Sequence, residues 1–521
     1  MSLWIACLLS AAGGVLAGLP FVELAQFPIW FGLAPAFYAV AAARTWKGAA
    51  LAAASFVLPW TLLGCWFIAT QLAFGALAAA LYTGLYYVPA LLAVRALALR
   101  GTAGAVFGTA AVWALVEIAR SRMPVLGWPW LLLGHAVADA EFLRQAADLG
   151  GVYGLSFLVA AFNAALAFVA PAFVTARLQG PPGSPLQRRA CAAAVLGLLL
   201  AALVYGRARV AQLEGRLETD GPALALLQGC TYQKIERPYA EERRQLDEHI
   251  ALHRKAVEEA PAGEKPALVC WAETMVPGVY NRDNHRIEFR AAVMRYGVPT
   301  VFGSDFINEA DLALEDPWAQ RWHNTAFLMD AGGELKARYF KRRLVPFGEY
   351  IPWTGTFPIL KRLRSVTRDT YTRGERDSEI FEAGGARFAF NLCVEDAHPD
   401  LARRAAEDGA EALLNLTNDA WFRGSSGEWA HLRAARLRSV EVRRPLIRVT
   451  NSGVSVQVDP LGRLEIPVPP HEVGIGRLRL KRLDRPPHTW AMVLGEAWVA
   501  LLLGAVLGAA LFLDRSASAK T

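Results

Sequence analysis

The sequence predicts a polytopic α-helical membrane bundle of about eight spans joined to a water-soluble, layered α/β domain. Three observations predict it. Hydrophobic residues make up 54% of the 521 positions and the mean hydropathy is +0.26, more than a soluble enzyme of ordinary composition carries. That apolarity is unevenly spread: residues 1–206 hold long runs almost free of charge, charge density rises from Arg207 to Arg485, and Trp490 to Leu513 is apolar again. Within the charged block, strand-like runs alternate with helical ones, the pattern of a layered α/β fold.

A helix needs about 20 apolar residues to cross the hydrocarbon core. Seven stretches before the charged block approach that length, at 3–19, 27–43, 49–69, 71–94, 102–119, 151–175 and 189–206, and an eighth lies at 490–513. The first stretch lacks a basic n-region and a clear cleavage site, and further spans follow it, so it reads as a retained helix rather than a signal peptide. The expected domains are therefore 1–206 (seven spans), 207–486 (soluble) and 487–521 (a last span and a short tail).

Lys and Arg in the short loops set the expected orientation. Arg44 and Lys47 follow the second span, Arg95 and Arg100 the fourth, Arg177, Arg188 and Arg189 the sixth, and Arg515 and Lys520 the eighth. All fall on one side if the N-terminus is cytoplasmic, which puts the soluble block outside the cytoplasm. Arg120, Arg122 and Arg144, after the fifth span, run against the trend. The net charge of +7 is mild for the length. With no compact basic stripe carrying interleaved aromatics, it points to anionic headgroups rather than nucleic acid.

In the soluble block, strands are expected at Ala223–Leu227, Ala267–Trp271, Thr300–Phe302, Thr325–Met329, Phe388–Leu392, Ala412–Leu416, Ile447–Thr450 and Ser455–Val458. Helices are expected at Tyr239–Ala260, Ile287–Tyr296, Leu401–Glu407 and Trp429–Arg443, and a hairpin over Phe327–Tyr339 turns at Ala331-Gly-Gly333. Gln179–Pro185 reads as a short loop. Cys7, Cys65 and Cys191 lie in spans as small apolar residues. Cys230 and Cys270 end apolar strands, where they are either buried thiols or, in an oxidising compartment, a disulfide.

Three strand ends carry candidate chemistry: Cys393 after Ala386–Leu392, Glu273 after Val269-Cys-Trp-Ala272, and Lys341 after Tyr339-Phe340. A lone strand-end Cys is usually structural, a loop carboxylate usually makes a local turn, and a Lys-Arg-Arg trio is usually a solvated face. Together, however, a thiol, a base and a cation are the parts of covalent acyl transfer. Lys341 leads into Leu344-Val-Pro-Phe-Gly-Glu349, too apolar and turn-rich for a surface helix, and Glu349 is placed to pair with it. The competing base is a histidine, from His323, His398 or His431. Glu117 and Arg120, three residues apart in a span, read as a structural ion pair.

The Glu273–Lys341–Cys393 order and context resemble the nitrilase (carbon–nitrogen hydrolase) superfamily. The whole chain resembles the bacterial apolipoprotein N-acyltransferases, through Trp113–Arg120 with Gly127-Trp-Pro-Trp130, Gln145–Phe157, Asn418-Asp-Ala-Trp-Phe422 and Arg444–Gly453. The resemblance implies a nitrilase-like αββα sandwich on the periplasmic side of the inner membrane. It implies that Cys393 takes an acyl chain from a phospholipid and passes it to the α-amino group of a diacylglyceryl-cysteine at an apolipoprotein's N-terminus. It implies that Glu273 is the base and that Lys341, with the N–H after Cys393, stabilises the oxyanion. Glu349, Glu395 and Trp421 would support the site. No cofactor and no metal is expected. Ile351–Leu360 reads either as an apolar arm in the membrane interface or as a packed loop.

Two departures stand out: Val394 occupies a position where the family usually carries tyrosine, and Cys230–Arg237 lacks the usual asparagine and tryptophan. They leave room for another amine acceptor. The rival functions are a membrane-tethered amidase with water as acceptor, and a non-catalytic scaffold or transporter.

Overall fold

The structure is a computed structural model that describes all residues except 24, 71–73, 170–182, 233–237, 317–318, 366–370, 376–378, 423 and 519–521. Most of the expected Gln179–Pro185 loop, the end of the departing Cys230–Arg237 segment, and Arg177 and Lys520 thus lie outside the described residues. The chain forms two compact units: Met1–Gln212 with Ser425–Leu437 and Thr489–Thr521, and Leu213–Gly424 with Arg438–His488.

The first unit is helical. Among the described residues six helices are long and apolar enough to cross a membrane: Leu3–Val22, Trp46–Gly64, Gly75–Ala98, Ala147–Phe168, Pro185–Glu214 and Trp490–Asp514. Two of the eight expected spans take other forms. The second is the shorter apolar stretch Ile29–Ala42, which breaks at Leu33. Buried Asn163 repairs that break, its Oδ1 accepting from Leu33 N (3.0 Å) and Ala34 N (3.1 Å) while its Nδ2 donates to Ile29 O (2.9 Å). The fifth is a π-helical turn, Gly104–Gly108, running into Thr109–Arg122, whose charged last turns limit its apolar length.

Small residues set the spacing inside this unit, as expected where lipid supplies no hydrophobic drive between helices. A Cβ on Gly14 would lie 2.3 Å from the Phe56 carbonyl. Beside that contact, Trp60, Tyr87 and Trp113 meet at ring distances of 4.8–5.7 Å. The expected Glu117–Arg120 ion pair does not form. Glu117 accepts from Trp113 Nε1 (3.0 Å) and Leu133 N (2.9 Å), whereas Arg120 donates to the Trp128 and Trp130 carbonyls. The irregular 127–132 segment leaves carbonyls unpaired in an apolar setting, and capping those outweighs a contact between two side chains.

The second unit is an αββα sandwich. Its strands are β1 Leu217–Glu218, β2 Ala223–Gln228, β3 Leu268–Trp271, β4 Thr300–Ile307, β5 Trp322–Met329, β6 Leu335–Phe340, β7 Ile380–Ala383, β8 Ala386–Leu392, β9 Ala412–Thr417, β10 Leu446–Thr450, β11 Val456–Val458, β12 Leu464–Glu465, β13 Gly474–Arg479 and β14 Arg482–Leu483. One six-stranded sheet runs β13-β2-β3-β4-β5-β6, the other β12-β11-β10-β9-β8-β7, and β1 pairs with β14. The centres, β2-β3-β4 and β8-β9-β10, are parallel and the edges antiparallel. Buried parallel strands read as near-continuous apolar runs, which is why those centres were legible in the sequence. Leu226, Trp271, Phe302 and Phe327 of one sheet share a core with Phe388, Leu392, Leu414 and Val449 of the other. Helix Tyr239–Glu258 starts where expected and ends two residues early, and His285–Tyr296 and Pro399–Glu407 each begin two residues earlier than expected, the latter with proline at its first position. The β5–β6 hairpin turns where expected, with Gly333 at φ +80°. Cys230 and Cys270 do not form a disulfide with each other.

Candidate active site

Glu273 follows β3 on a backbone pressed against the neighbouring strand β4. A Cβ at Gly303 would lie 2.7 Å from the Glu273 Cα, so glycine is required at that crossing. Lys341 is the first residue past β6 and stays in register through its N–H, which donates to Asn324 O on β5 (2.9 Å). Its Nζ donates to Glu273 Oε1 (3.1 Å) and to Glu349 Oε1 (2.7 Å). Glu349 is held by a tight loop in which Val345 N donates to its Oε2 (2.8 Å) and Phe347 sits at φ +61°.

Cys393 sits at φ +50°, left-handed backbone that a non-glycine residue adopts at a cost of about 1–3 kcal/mol. Two side chains hold the elbow. Asn415 Nδ2 donates to the Cys393 carbonyl (2.9 Å). Glu395 Oε2 accepts from Leu392 N (2.8 Å), while its Oε1 accepts from Tyr339 OH (3.0 Å), Arg342 N (2.6 Å) and Arg343 N (2.8 Å). One buried carboxylate thus staples the strand end bearing the thiol to the strand end bearing the lysine.

The electrostatics follow from burial. Burial works against the Lys341 charge, but Glu273, Glu349 and the Cys393 sulfur together outweigh it and hold the ammonium well above its ordinary range. Burial pushes the Cys393 thiol up and Glu273 adds to the effect, while Lys341 and a hydrogen bond from Thr417 oppose it. The resting group is therefore a thiol, and it needs a base to become a nucleophile. Burial raises Glu395 to about 7 against the pull of its backbone donors.

A carbon–nitrogen hydrolase profile matches residues 224–483, and a profile for the N-terminal domain of apolipoprotein N-acyltransferase matches residues 13–165. A relative named apolipoprotein N-acyltransferase from Geobacter metallireducens is 30% identical over 402 residues, covering 75% of this chain and 73% of that protein. The chain belongs to the apolipoprotein N-acyltransferase family. The relative of that name from Allorhizobium ampelinum is 28% identical over 84% of this chain and 76% of its own length. Among solved structures, an amidase from Nesterenkonia sp. matches 52% of this chain and 93% of its own at 20% identity, with a TM-score of 0.38.

Within this acyltransferase fold, Glu273, Lys341 and Glu349 form one contact group. Trp421 lies on a short turn, Asp419–Phe422, with its side chain partly exposed. Of the alternative histidines, His323 stacks on Phe340 and pairs with the Thr372 carbonyl (2.9 Å), and His398 caps the Pro399–Glu407 helix by position. His431 lies in the other unit, 5.9 Å from the Trp130 ring. Trp353, Phe357 and Ile359 of the expected apolar arm are exposed. The sequence reading missed Asn324, Tyr339 and Asn415, which lie within strands β5, β6 and β9. It also missed Arg448, buried in the middle of β10 between Asp396 (3.1 Å) and Asp419 (2.7 Å). A charge in the centre of Leu446-Ile-Arg-Val-Thr450 was the signal available for it.

Proposed function

We propose that Glu273, Lys341 and Cys393 carry the acyl transfer through a thioester on Cys393, with a phospholipid as donor. The observation that carries this reading is the asymmetry of Glu273. Its Oε1 is fixed by Lys341 Nζ and by Asn324 Nδ2 (2.7 Å), whereas its Oε2 accepts no hydrogen bond from any described residue. A carboxylate with one oxygen anchored and the other uncommitted is built to take a proton.

In the first half-reaction Glu273 takes the thiol proton and the sulfur adds to the donor's ester carbonyl. Lys341 and the Val394 N–H meet the oxyanion. The ester C–O bond then breaks and Glu273 returns its proton to the departing alkoxide, leaving the thioester. In the second half-reaction the α-amino group of the diacylglyceryl-cysteine adds to the thioester and gives a proton to Glu273. The C–S bond breaks, the amide forms, and the thiolate regains that proton.

Both substrates keep acyl chains in the bilayer, and extracting them would cost about 0.8 kcal/mol per CH₂. The apolar helices of this chain remove that need by holding the enzyme in the same membrane. The loop distribution of Lys and Arg supports a soluble domain on the periplasmic face of the inner membrane, and exposed Trp353, Phe357 and Ile359 support an apolar arm at the interface.

Incubation of the full chain with labelled phospholipid should leave a hydroxylamine-sensitive acyl adduct on Cys393 that Cys393→Ala lacks. No adduct on intact, active enzyme would overturn the thioester. Adding a diacylglyceryl peptide should release N-acylated peptide; free fatty acid as the product would assign an amidase instead.

A further inference from the structure

The polar groups around Lys341 include one that the triad does not account for. Asn324, on β5 and 3% exposed, points its Nδ2 at both carboxylates, 2.7 Å from Glu273 Oε1 and 3.2 Å from Glu349 Oε1. Those are the same two oxygens that accept from Lys341 Nζ. Each carboxylate oxygen therefore lies between one ammonium and one amide, and the four groups close a ring. The amide orientation is fixed by its surroundings, because an Asn oxygen turned toward two carboxylates would face only acceptors.

Two features set this residue apart from ordinary packing. First, its Oδ1 is buried and takes no hydrogen bond from any described residue. An unsatisfied buried acceptor is a cost that folds avoid unless the group serves elsewhere. Second, the ring holds two carboxylates and one cation. Of the titratable groups facing Glu273, Lys341 comes from the end of β6, Glu349 from the loop after it and Cys393 from the elbow, with Glu395 acting on Lys341 from behind. In the resting site Glu273 and Glu349 are the two negative groups beside the ammonium; once Glu273 has taken the thiol proton, the thiolate and Glu349 are. A neutral double donor placed between the carboxylates is the one group on β5 that lowers their mutual repulsion without adding charge.

We propose that Asn324 is a positioning residue of the acyl-transfer site. Its side-chain amide donates to one oxygen of Glu273 and one of Glu349, and fixes Glu273 so that Oε2 is the oxygen that takes the proton from the thiol and later from the amine. The role rests on Glu273 acting as the base. It adds the requirement that the base be held by a neutral donor as well as by the lysine.

The test is the pH dependence of thioester formation by the full chain in detergent micelles with labelled phospholipid, run on Asn324→Ala, Asn324→Asp, Asn324→Gln and Glu273→Gln. Asn324→Ala should still form the adduct, with the midpoint of the acid limb moved up by about one pH unit and the rate at the plateau reduced about tenfold. Asn324→Asp keeps the side-chain size and should move the midpoint further in the same direction, so it carries the test if the alanine variant does not fold. Asn324→Gln, which retains the donor, should restore part of the shift. A Glu273→Gln variant slowed about 100-fold or more, beside an Asn324→Ala variant with an unmoved midpoint, would overturn the role of Asn324 and leave the base assignment standing. A Glu273→Gln variant of near-normal rate would overturn both.

Discussion

Two buried clusters in the second unit have the same formal make-up, two carboxylates around one cation, and are built for opposite ends. Around Arg448 the cation is 0% exposed, Asp396 1% and Asp419 0%. Its guanidinium reaches both Asp419 oxygens, at 2.7 and 3.0 Å, and Asp396 at 3.1 Å. Around Lys341 the ammonium is 1% exposed, Glu273 5% and Glu349 15%. There the contacts converge on single oxygens and leave Glu273 Oε2 without a hydrogen bond from any described residue. Arginine in the first cluster cannot give up a proton and its planar fork fixes geometry. Lysine in the second is a compact charge beside a carboxylate that has capacity to spare. In the brace the fork grips both oxygens of Asp419; in the site the ammonium reaches one oxygen of each carboxylate, and the other oxygen of Glu273 is left for a proton.

The largest expected effect breaks the brace. Arg448→Leu leaves Asp396 and Asp419 buried without a cation, which should destabilise the protein by about 3–5 kcal/mol. The loss should appear as a fall in the melting temperature of the detergent-solubilised chain. Asp396 is two residues from Val394 and Asp419 lies in the Asn418–Phe422 turn, so the elbow should loosen as well. Arg448→Lys keeps the charge but not the fork, and should fall between. A leucine variant that melts with the wild type would mean the triad contributes nothing to the fold.

How much of this was legible in the sequence differs between the two clusters for a physical reason. Cys393, Glu273, Lys341, Glu349 and Glu395 all stand where an apolar run ends, and such transitions are visible without a structure. Asn415 lies inside a strand, where one amide does not disturb the apolar pattern, and Asn324 lies one residue before the expected Thr325–Met329 strand in a polar His-Asn-Thr run, so only the register assigns either a partner. Register pairs Asn415 with both Asn391 and Arg448, and no local pattern specifies that. The same limit explains the failed Glu117–Arg120 pair: helical spacing brought the two side chains onto one face, but the competing carbonyls of residues 128 and 130 come from a non-helical segment. Short edge strands such as β7 and β12 also escaped, since four and two residues carry too little pattern to read.

Glu395 lies between the two clusters and tests the comparison by titration, since its partners are neutral donors rather than a cation. Burial raises its pKa from 4.5 to about 7. A folded-state pKa above the unfolded value means that the folded chain holds the proton more tightly. This residue's share of stability is therefore complete below about pH 4.5 and is lost as pH rises through 7. The span corresponds to about 3 kcal/mol at most. Glu395→Gln cannot titrate, so the stability gap between wild type and variant should shift by up to that amount between pH 5 and pH 8, in the variant's favour at the higher pH. A gap that stays constant across the range would show that Glu395 is ionised throughout and belongs with the carboxylates around Arg448.

The smallest expected effect concerns Thr417, which touches both clusters. Its hydroxyl lies 3.4 Å from Asp419 Oδ1 and also hydrogen-bonds the Cys393 sulfur, where it favours the thiolate. One hydroxyl has one proton. The contact with Asp419 is long for an O–H···O bond, so the proton is available to the sulfur when the thiol ionises, and the brace supplies the site with a donor it does not need. Thr417→Val removes that donor at nearly constant volume. Alkylation of Cys393 by iodoacetamide at fixed pH should slow by about 3- to 10-fold, as expected for losing one hydrogen bond to a charged group. Thr417→Ser should alkylate at close to the wild-type rate. Melting temperature should change little in either variant, because Arg448 holds Asp419 without help from Thr417. If Thr417→Val instead lowers the melting temperature and leaves the alkylation rate unchanged, the hydroxyl serves the brace and the two clusters do not communicate through it.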